Sequence, residues 1–190
     1  MRIKLAILVV LFVSTPAWAQ DTAPETTPPA EPAVVIAAPT IEKMTFVLDG
    51  DEKPQQTALE ASIEDTIDDM NFITRPIARG KLKKSNAIFK KITLVVADDT
   101  VEIQLDSRKS IRTKSDGKDV TKWKRDDGDE FKITQKRESN HITQTYRGED
   151  GSKTMDYNLS SDHKKLTIII QVKSDKLPKP LTYTLRYKAI

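Results

Sequence analysis

The sequence predicts a mainly β domain, an antiparallel meander of about ten strands closing into a barrel or half-barrel, with one N-terminal amphipathic helix. Three observations carry that expectation. No proline occurs between Pro76 and Pro178, and because proline cannot donate to a ladder, so long a proline-free interval suits a continuous sheet. Within it, apolar and polar residues alternate, the period of a strand with one dry face. Gly117, Gly128, Gly148 and Gly151 fall between the alternating runs, where turns need them. The chain has 190 residues, 37% hydrophobic and 31% charged, enough for a core and too short for more than one or two compact domains. With 31 Lys and Arg against 28 Asp and Glu, the net charge is only +3, which excludes nucleic-acid binding driven by net charge.

Taken in order, residues 1–19 read as a signal peptide. Arg2 and Lys4 precede an apolar run from Leu5 to Val13, and Ala17-Trp18-Ala19 supplies a small-x-small cleavage site. That run is under half the roughly 20 residues a membrane span requires. Gln20 follows the site and the chain has no Cys, so an anchor attached through Cys is excluded. A periplasmic or secreted protein is expected, stabilised by its core because disulfides are unavailable to it. Residues 20–40 hold Pro24, Pro28, Pro29, Pro32 and Pro39 among Ala, Thr and Glu, the composition of an extended disordered spacer. Residues 41–190 form the single folded domain.

Its first strand is expected over Met44 to Leu48. Leu59, Ile63, Ile67 and Met70 then recur at helical spacing, with Glu60, Glu64, Asp65, Asp68 and Asp69 on the other faces, which places an acidic amphipathic helix near 55–71. From Arg75 to Lys91 the chain is wholly basic, through Arg75, Arg79, Lys81, Lys83, Lys84, Lys90 and Lys91. Pro76 and Gly80 break regular structure there, leaving an irregular connector whose cations neutralise the acidic helix. Nine further strands follow: Ile88 to Ala97, Thr100 to Leu105, Ser110 to Lys114, Lys118 to Lys122, Glu130 to Arg137, Asn140 to Arg147, Lys153 to Leu159, Lys165 to Lys173 and Leu181 to Lys188.

The hairpins test one another, because a one-residue slip sends every side chain to the wrong face. A loop at Glu138-Ser139 sets Gln135 opposite Ile142, Ile133 opposite Gln144 and Phe131 opposite Tyr146. The turn from Gly148 to Gly151 sets Ile142 opposite Tyr157 and Gln144 opposite Met155. The loop around Asp162 and His163 sets Leu159 opposite Leu166, Tyr157 opposite Ile168 and Met155 opposite Ile170. Leu181, Tyr183, Leu185 and Tyr187 then share the dry face, and Lys132, Thr134, His141, Thr184 and Arg186 the wet one.

A strand, a helical segment and about nine meandering strands form the element order of the calycin barrels. Over most of residues 41–190 the chain resembles their fatty-acid-binding branch in architecture. The Gly-x-Trp signature of lipocalins is missing, since Trp123 lies mid-chain, and Arg186 and Tyr187 are adjacent. They point to opposite faces, so the inward Arg-x-Tyr carboxylate grip of that branch does not carry over. The segment from Asn71 to Gly80 and the ending from Leu177 to Tyr183 are also similar to uncharacterised exported bacterial proteins.

No catalytic constellation is present. His141 falls on the wet face, and His163 sits in a turn beside Ser160, Ser161 and Asp162, too local a set to converge as a triad. Asp126, Asp127, Asp129 and Glu130 around Gly128 lack the alternate spacing of a calcium loop, so neither a metal nor a cofactor is expected. The expected function is non-catalytic binding of an apolar or amphipathic small molecule such as a lipid. The alternative is a cell-envelope structural or interaction protein whose barrel is filled by its own side chains. Candidate ligand-binding residues are the dry-face amides Gln135 and Gln144, the tyrosines Tyr146, Tyr157 and Tyr183, and Trp123 near a turn between middle strands. Arg75, Arg79, Lys81, Lys83 and Lys84 are candidates for peripheral contact with anionic envelope lipids.

Overall fold

The computed structural model describes residues 41–124 and 128–190. The leader expected at 1–19, the spacer at 20–40, and Asp126 and Asp127 lie outside the described residues. The elements are β1 (Glu42–Leu48), α1 (Glu52–Ile67), α2 (Thr74–Ser85), β2 (Lys91–Val96), β3 (Thr100–Leu105), β4 (Ile111–Lys114), β5 (Thr121–Lys124), β6 (Glu130–Glu138), β7 (His141–Arg147), β8 (Gly151–Leu159), β9 (Lys165–Ser174) and β10 (Leu181–Ala189). All ten strands belong to one antiparallel sheet in the order β4-β3-β2-β1-β10-β9-β8-β7-β6-β5. The first strand pairs with the last, Phe46 opposite Ala189 and Leu48 opposite Tyr187, so the meander curls back on itself. Among the described residues its ends, β4 and β5, are not paired with each other. Instead the chain beyond β4 reaches β6, where Gly117 N donates to Gln135 O at 2.8 Å and Arg137 N to Ser115 O at 3.0 Å. The result is a nearly closed barrel, and the calycin-like architecture expected from the element order holds.

The alternation expected of the dry face is present throughout. Phe46, Ile92, Leu94, Ile103, Ile133, Ile142, Met155, Tyr157, Leu166, Ile168, Leu185 and Tyr187 are all buried. Leu59, Ile63 and Ile67 bring the apolar stripe of α1 into the same core. Gln55 fixes that helix to the barrel wall, accepting from Arg186 N at 3.1 Å and donating to Arg186 O at 3.3 Å. At Gly151 an added Cβ would lie 2.1 Å from Lys173 O, so no other residue fits without moving β9.

Four expectations are corrected. The basic connector is not irregular but the helix α2. Pro76 occupies its first turn, where a missing N–H removes no intrahelical bond, and Gly80 is tolerated because α2 packs on α1. The expected neutralisation does occur: Arg79 grips Glu64 with contacts of 2.6 and 2.5 Å, Lys83 lies 3.5 Å from Glu60 and Arg75 3.6 Å from Asp68. Hydrogen bonding from Arg79 holds the Glu64 carboxyl below its ordinary range.

The β6–β7 register differs by two positions from the expected one. Gln135 faces Gln144, Ile133 faces Tyr146 and Arg137 faces Ile142, because the turn is Ser139-Asn140, with Ser139 at φ 55°, rather than Glu138-Ser139. A two-residue slip keeps parity, so the faces survive it. The β7–β8 and β8–β9 registers are those expected. The fifth strand starts at Thr121 instead of Lys118, since the Asp116 carboxylate accepts from Lys118 N at 2.8 Å and Asp119 N at 3.0 Å and holds that stretch as a turn. Likewise Asp106 takes Lys90 N and Lys91 N at 2.8 and 2.9 Å, so β2 begins at Lys91 and leaves Ile88 and Phe89 buried outside the ladder.

Gly80 lies inside α2, and a Cβ added there would meet no atom within 4 Å. Replacing it with Ala removes the entropic cost of a helical glycine without a clash. Gly80→Ala is expected to raise stability by about 0.5 to 1 kcal/mol, seen as a higher urea midpoint at unchanged slope.

Candidate functional site: a cavity at the barrel mouth

One end of the barrel is hollow. A cavity of about 710 Å³ opens between the segment after α2, the β3–β4 and β7–β8 turns and the stretch from Gly128 into β6, within the roughly 300 to 1,000 Å³ span of small-molecule sites. Its floor includes Leu105, Ile111, Met155 and Val172, dry-face residues of four strands. Beyond them, Ile133, Ile142, Tyr157, Ile168 and Ile170 are all no more than 1% exposed. The interior is therefore filled at one end and open at the other.

One wall is aromatic. Trp123 stands directly opposite Phe131 across the β5–β6 ladder, their ring centroids 6.2 Å apart, and Phe131 meets Tyr146 edge-on at 6.5 Å. These three rings come from consecutive strands because 123, 131 and 146 share the inward parity. Facing them are Phe89 and Arg108, whose guanidinium carbon lies 5.1 Å from the Phe89 ring centre.

Lys153 brings a charge onto the dry face, two residues before Met155. Its Nζ donates to Asn86 Oδ1 at 3.2 Å. Asn86, 3% exposed at the C-terminal cap of α2, donates from Nδ2 to Leu82 O at 3.0 Å and accepts from the Tyr183 hydroxyl at 3.4 Å. One side chain thus ties the helix end to β8 and β10 at the rim.

Among the residues the sequence singled out, Trp123 and Tyr146 line the cavity, whereas Gln135, Gln144, Tyr157 and Tyr183 lie outside its lining. Gln135 sits on the seam. Its Oε1 accepts from Thr113 Oγ1 at 3.2 Å and its Nε2 donates to Ile111 O at 3.3 Å, joining β4 to β6. Gln144 is fully buried, and its Oε1 accepts from the hydroxyls of Tyr146 at 2.9 Å and Tyr157 at 3.1 Å. The two amides face each other in register without bonding each other, and Gln144 Nε2 is buried with no hydrogen-bond partner among the described residues. Burial pushes the Tyr146 and Tyr157 phenols well above their ordinary value, so both remain neutral donors. Asn86, Phe89, Arg108 and Lys153 are the site residues that sequence reasoning missed. For Lys153 a signal existed, since it shares parity with Met155 and Tyr157.

Neither histidine lines the cavity. His141 Nε2 lies 3.2 Å from Asp156 Oδ1 on the outer face, and His163 Nδ1 lies 2.8 Å from Glu42 Oε1 at the β8–β9 turn. Among the described residues, no group of acidic and imidazole side chains could hold a metal ion.

No protein-family model matches the chain, and no curated protein matches it either. Solved structures similar to it include the brain fatty-acid-binding protein of Drosophila melanogaster, at 18% identity over 78% of this chain and 97% of that one, with a TM-score of 0.45. Fatty-acid-binding protein 1 of Echinococcus granulosus matches at 13% identity over 77% and 95%, with a TM-score of 0.44. The Schistosoma mansoni fatty-acid-binding protein in complex with arachidonic acid matches at 16% over 78% and 93%, also with a TM-score of 0.44. Likeness at this level says nothing of what the cavity holds, which follows from its own lining.

Gln144→Leu leaves two buried phenols without their acceptor and is expected to cost about 1 to 3 kcal/mol in chemical denaturation. Adding Tyr157→Phe removes one of the stranded hydroxyls, so the double variant should be less destabilised than the sum of the two single changes.

Proposed function

We propose that the protein is an exported, non-catalytic binding protein for an amphipathic small molecule, held in the mouth cavity. The observation that carries this reading is the cavity itself. A barrel serving only as a packed structural unit has no use for about 710 Å³ of open space walled by three aromatic rings, because each ring left part-exposed forgoes burial worth on the order of 1.5 to 3 kcal/mol for a large apolar side chain. The filled interior beyond Met155 supplies rigidity for the rim. Export is supported by the three-part leader in residues 1–19. A non-catalytic role is supported by the placement of both histidines outside the cavity. Protein purified from the native host's periplasmic fraction should have an intact mass beginning at Gln20 and release a stoichiometric small molecule on extraction. Recovery of the ligand-free protein alone, with no saturable binding of any amphiphile by calorimetry, would favour the filled-barrel alternative.

The same reading includes docking at an anionic lipid surface, favoured by one specific feature. Phe72, Ile73 and Ile77 are 84%, 64% and 58% exposed, clustered where α1 turns into α2. Ile73 and Ile77 share a helix face with Lys81 and Lys84, and both lysines are exposed. Leu82 and Ala78 of the same helix pack inward. Apolar side chains flanked by cations suit insertion among anionic headgroups. Of the five cations expected to touch lipid, Arg75, Arg79 and Lys83 are engaged with α1 carboxylates, which leaves Lys81 and Lys84 as the contacts. Vesicles containing phosphatidylglycerol should co-sediment the protein and pure phosphatidylcholine vesicles should not. Changing Phe72, Ile73 and Ile77 together to Ser should abolish co-sedimentation without lowering the melting temperature; retained binding would remove the tip from the reading.

A further inference from the structure

We propose that the mouth cavity selects a compact, flat aromatic acid over a long acyl chain, an inference that rests on the binding reading of the same cavity. The first ground is shape. An acyl chain needs a channel running along the barrel axis, but the interior below Leu105, Ile111 and Met155 is occupied by Ile133, Ile142, Tyr157 and Ile168, each no more than 1% exposed. The free space lies across the mouth, bounded by the turns and the segment after α2. A molecule that fills it is short and broad.

The second ground is the chemistry of the walls. Trp123, Phe131 and Tyr146 form a continuous aromatic surface, with centroid steps of 6.2 and 6.5 Å and interplanar angles of 43° and 81°. Flat rings gain from offset or edge-on contact with such a surface in a way that saturated carbon does not. Phe89 lines the cavity with Arg108 over its face, a ring already carrying a guanidinium.

The third ground is where the charges stand. Arg108 and Lys153 both line the cavity, Arg108 with its guanidinium carbon 5.1 Å from the Phe89 ring centre and Lys153, from the dry face of β8, with its Nζ 3.2 Å from Asn86 Oδ1. The acidic lining residues Glu149 and Asp150 are on the β7–β8 turn, where Asp150 pairs with Lys176 at 2.5 Å, and Asp129 and Glu130 stand at the start of β6. The four lining carboxylates are exposed and so is Arg108 on the β3–β4 turn, whereas Lys153 is partly buried. An acid group on the ligand is therefore drawn toward Arg108 and Lys153, with its rings laid on the Trp123–Phe131–Tyr146 wall.

Calorimetric titration of the intact protein with 2-naphthoate, its saturated counterpart decahydro-2-naphthoate, and palmitate separates the readings. The expected result is saturable 1:1 binding of 2-naphthoate, about tenfold or more tighter than either saturated acid. Trp123→Leu should weaken 2-naphthoate by about 2- to 10-fold while Trp123→Phe, which keeps a ring, retains affinity. Arg108→Met should weaken 2-naphthoate and leave the neutral 2-naphthamide unaffected. Quenching of Trp123 emission by 2-naphthoate in the unaltered protein gives the same contact without any substitution. Tighter binding of palmitate, or equal affinities for the naphthoate and its saturated counterpart, would overturn the aromatic assignment and leave the binding reading intact. If none of the three acids nor any other amphiphile bound, both would fall together.

Discussion

A sheet of ten strands leaves two edges, and everything else in this domain depends on how those edges are disposed of. β1 and β10 pair in the middle of the order, so the edges fall to β4 and β5. These are the shortest of the described strands, four residues each, as exposed edges tend to be. β4 does not pair with β5; its continuation bridges to β6, and the buried Gln135 clasps Ile111 O and Thr113 Oγ1. A leucine there would remove the donor that Ile111 O takes from across the seam, inside a dry wall. The seam closes through this amide together with the backbone bonds Gly117 N to Gln135 O and Arg137 N to Ser115 O, and the interior becomes a core instead of an open face.

The space enclosed by the wall is filled at one end and hollow at the other. The filled half carries the packing energy of Phe46, Tyr157, Leu185, Tyr187 and the α1 stripe, while the mouth holds residues that are half-buried. Asn86 joins these halves, because it caps α2, receives Tyr183 from the core and Lys153 from the rim. Gln144 does the analogous work on the opposite side. It fixes Tyr146, a cavity wall residue, through the same oxygen that satisfies Tyr157 in the core. The rigidity of the site is thus inherited from buried polar anchors, each of which has one foot in the packed interior.

The helical pair adds a second surface with a different logic. α1 is acidic and α2 basic, and three of their ion pairs lie along the contact between them. Because those pairs are part-exposed they add little stability; they set which face of α2 turns outward. Ala78 and Leu82 go in, so Ile73 and Ile77 are left out. The exposed apolar tip is a consequence of the helix's charge pattern as much as of its hydrophobicity.

The sequence by itself determined the local and periodic features. Alternation with parity assigned the dry face of every C-terminal strand, and Gly148, Gly151 and the Asp162-His163 loop set two registers as they occur. Parity also placed Tyr146 inward, whereas Trp123 was expected only near a turn and faces the cavity because β5 runs from Thr121 to Lys124. What the sequence did not determine was decided by contacts distant in the chain. α2 is a helix because Pro76 falls in its first turn and α1 supplies a partner face that offsets Gly80. The roles of Gln135 and Gln144 depend on Thr113 and on Tyr157, 22 and 13 residues away, and Asn86 meets Tyr183 across 97. Period and propensity act over a few residues, whereas the choice between filling and hollowing a barrel is made by side chains brought together only when the sheet closes.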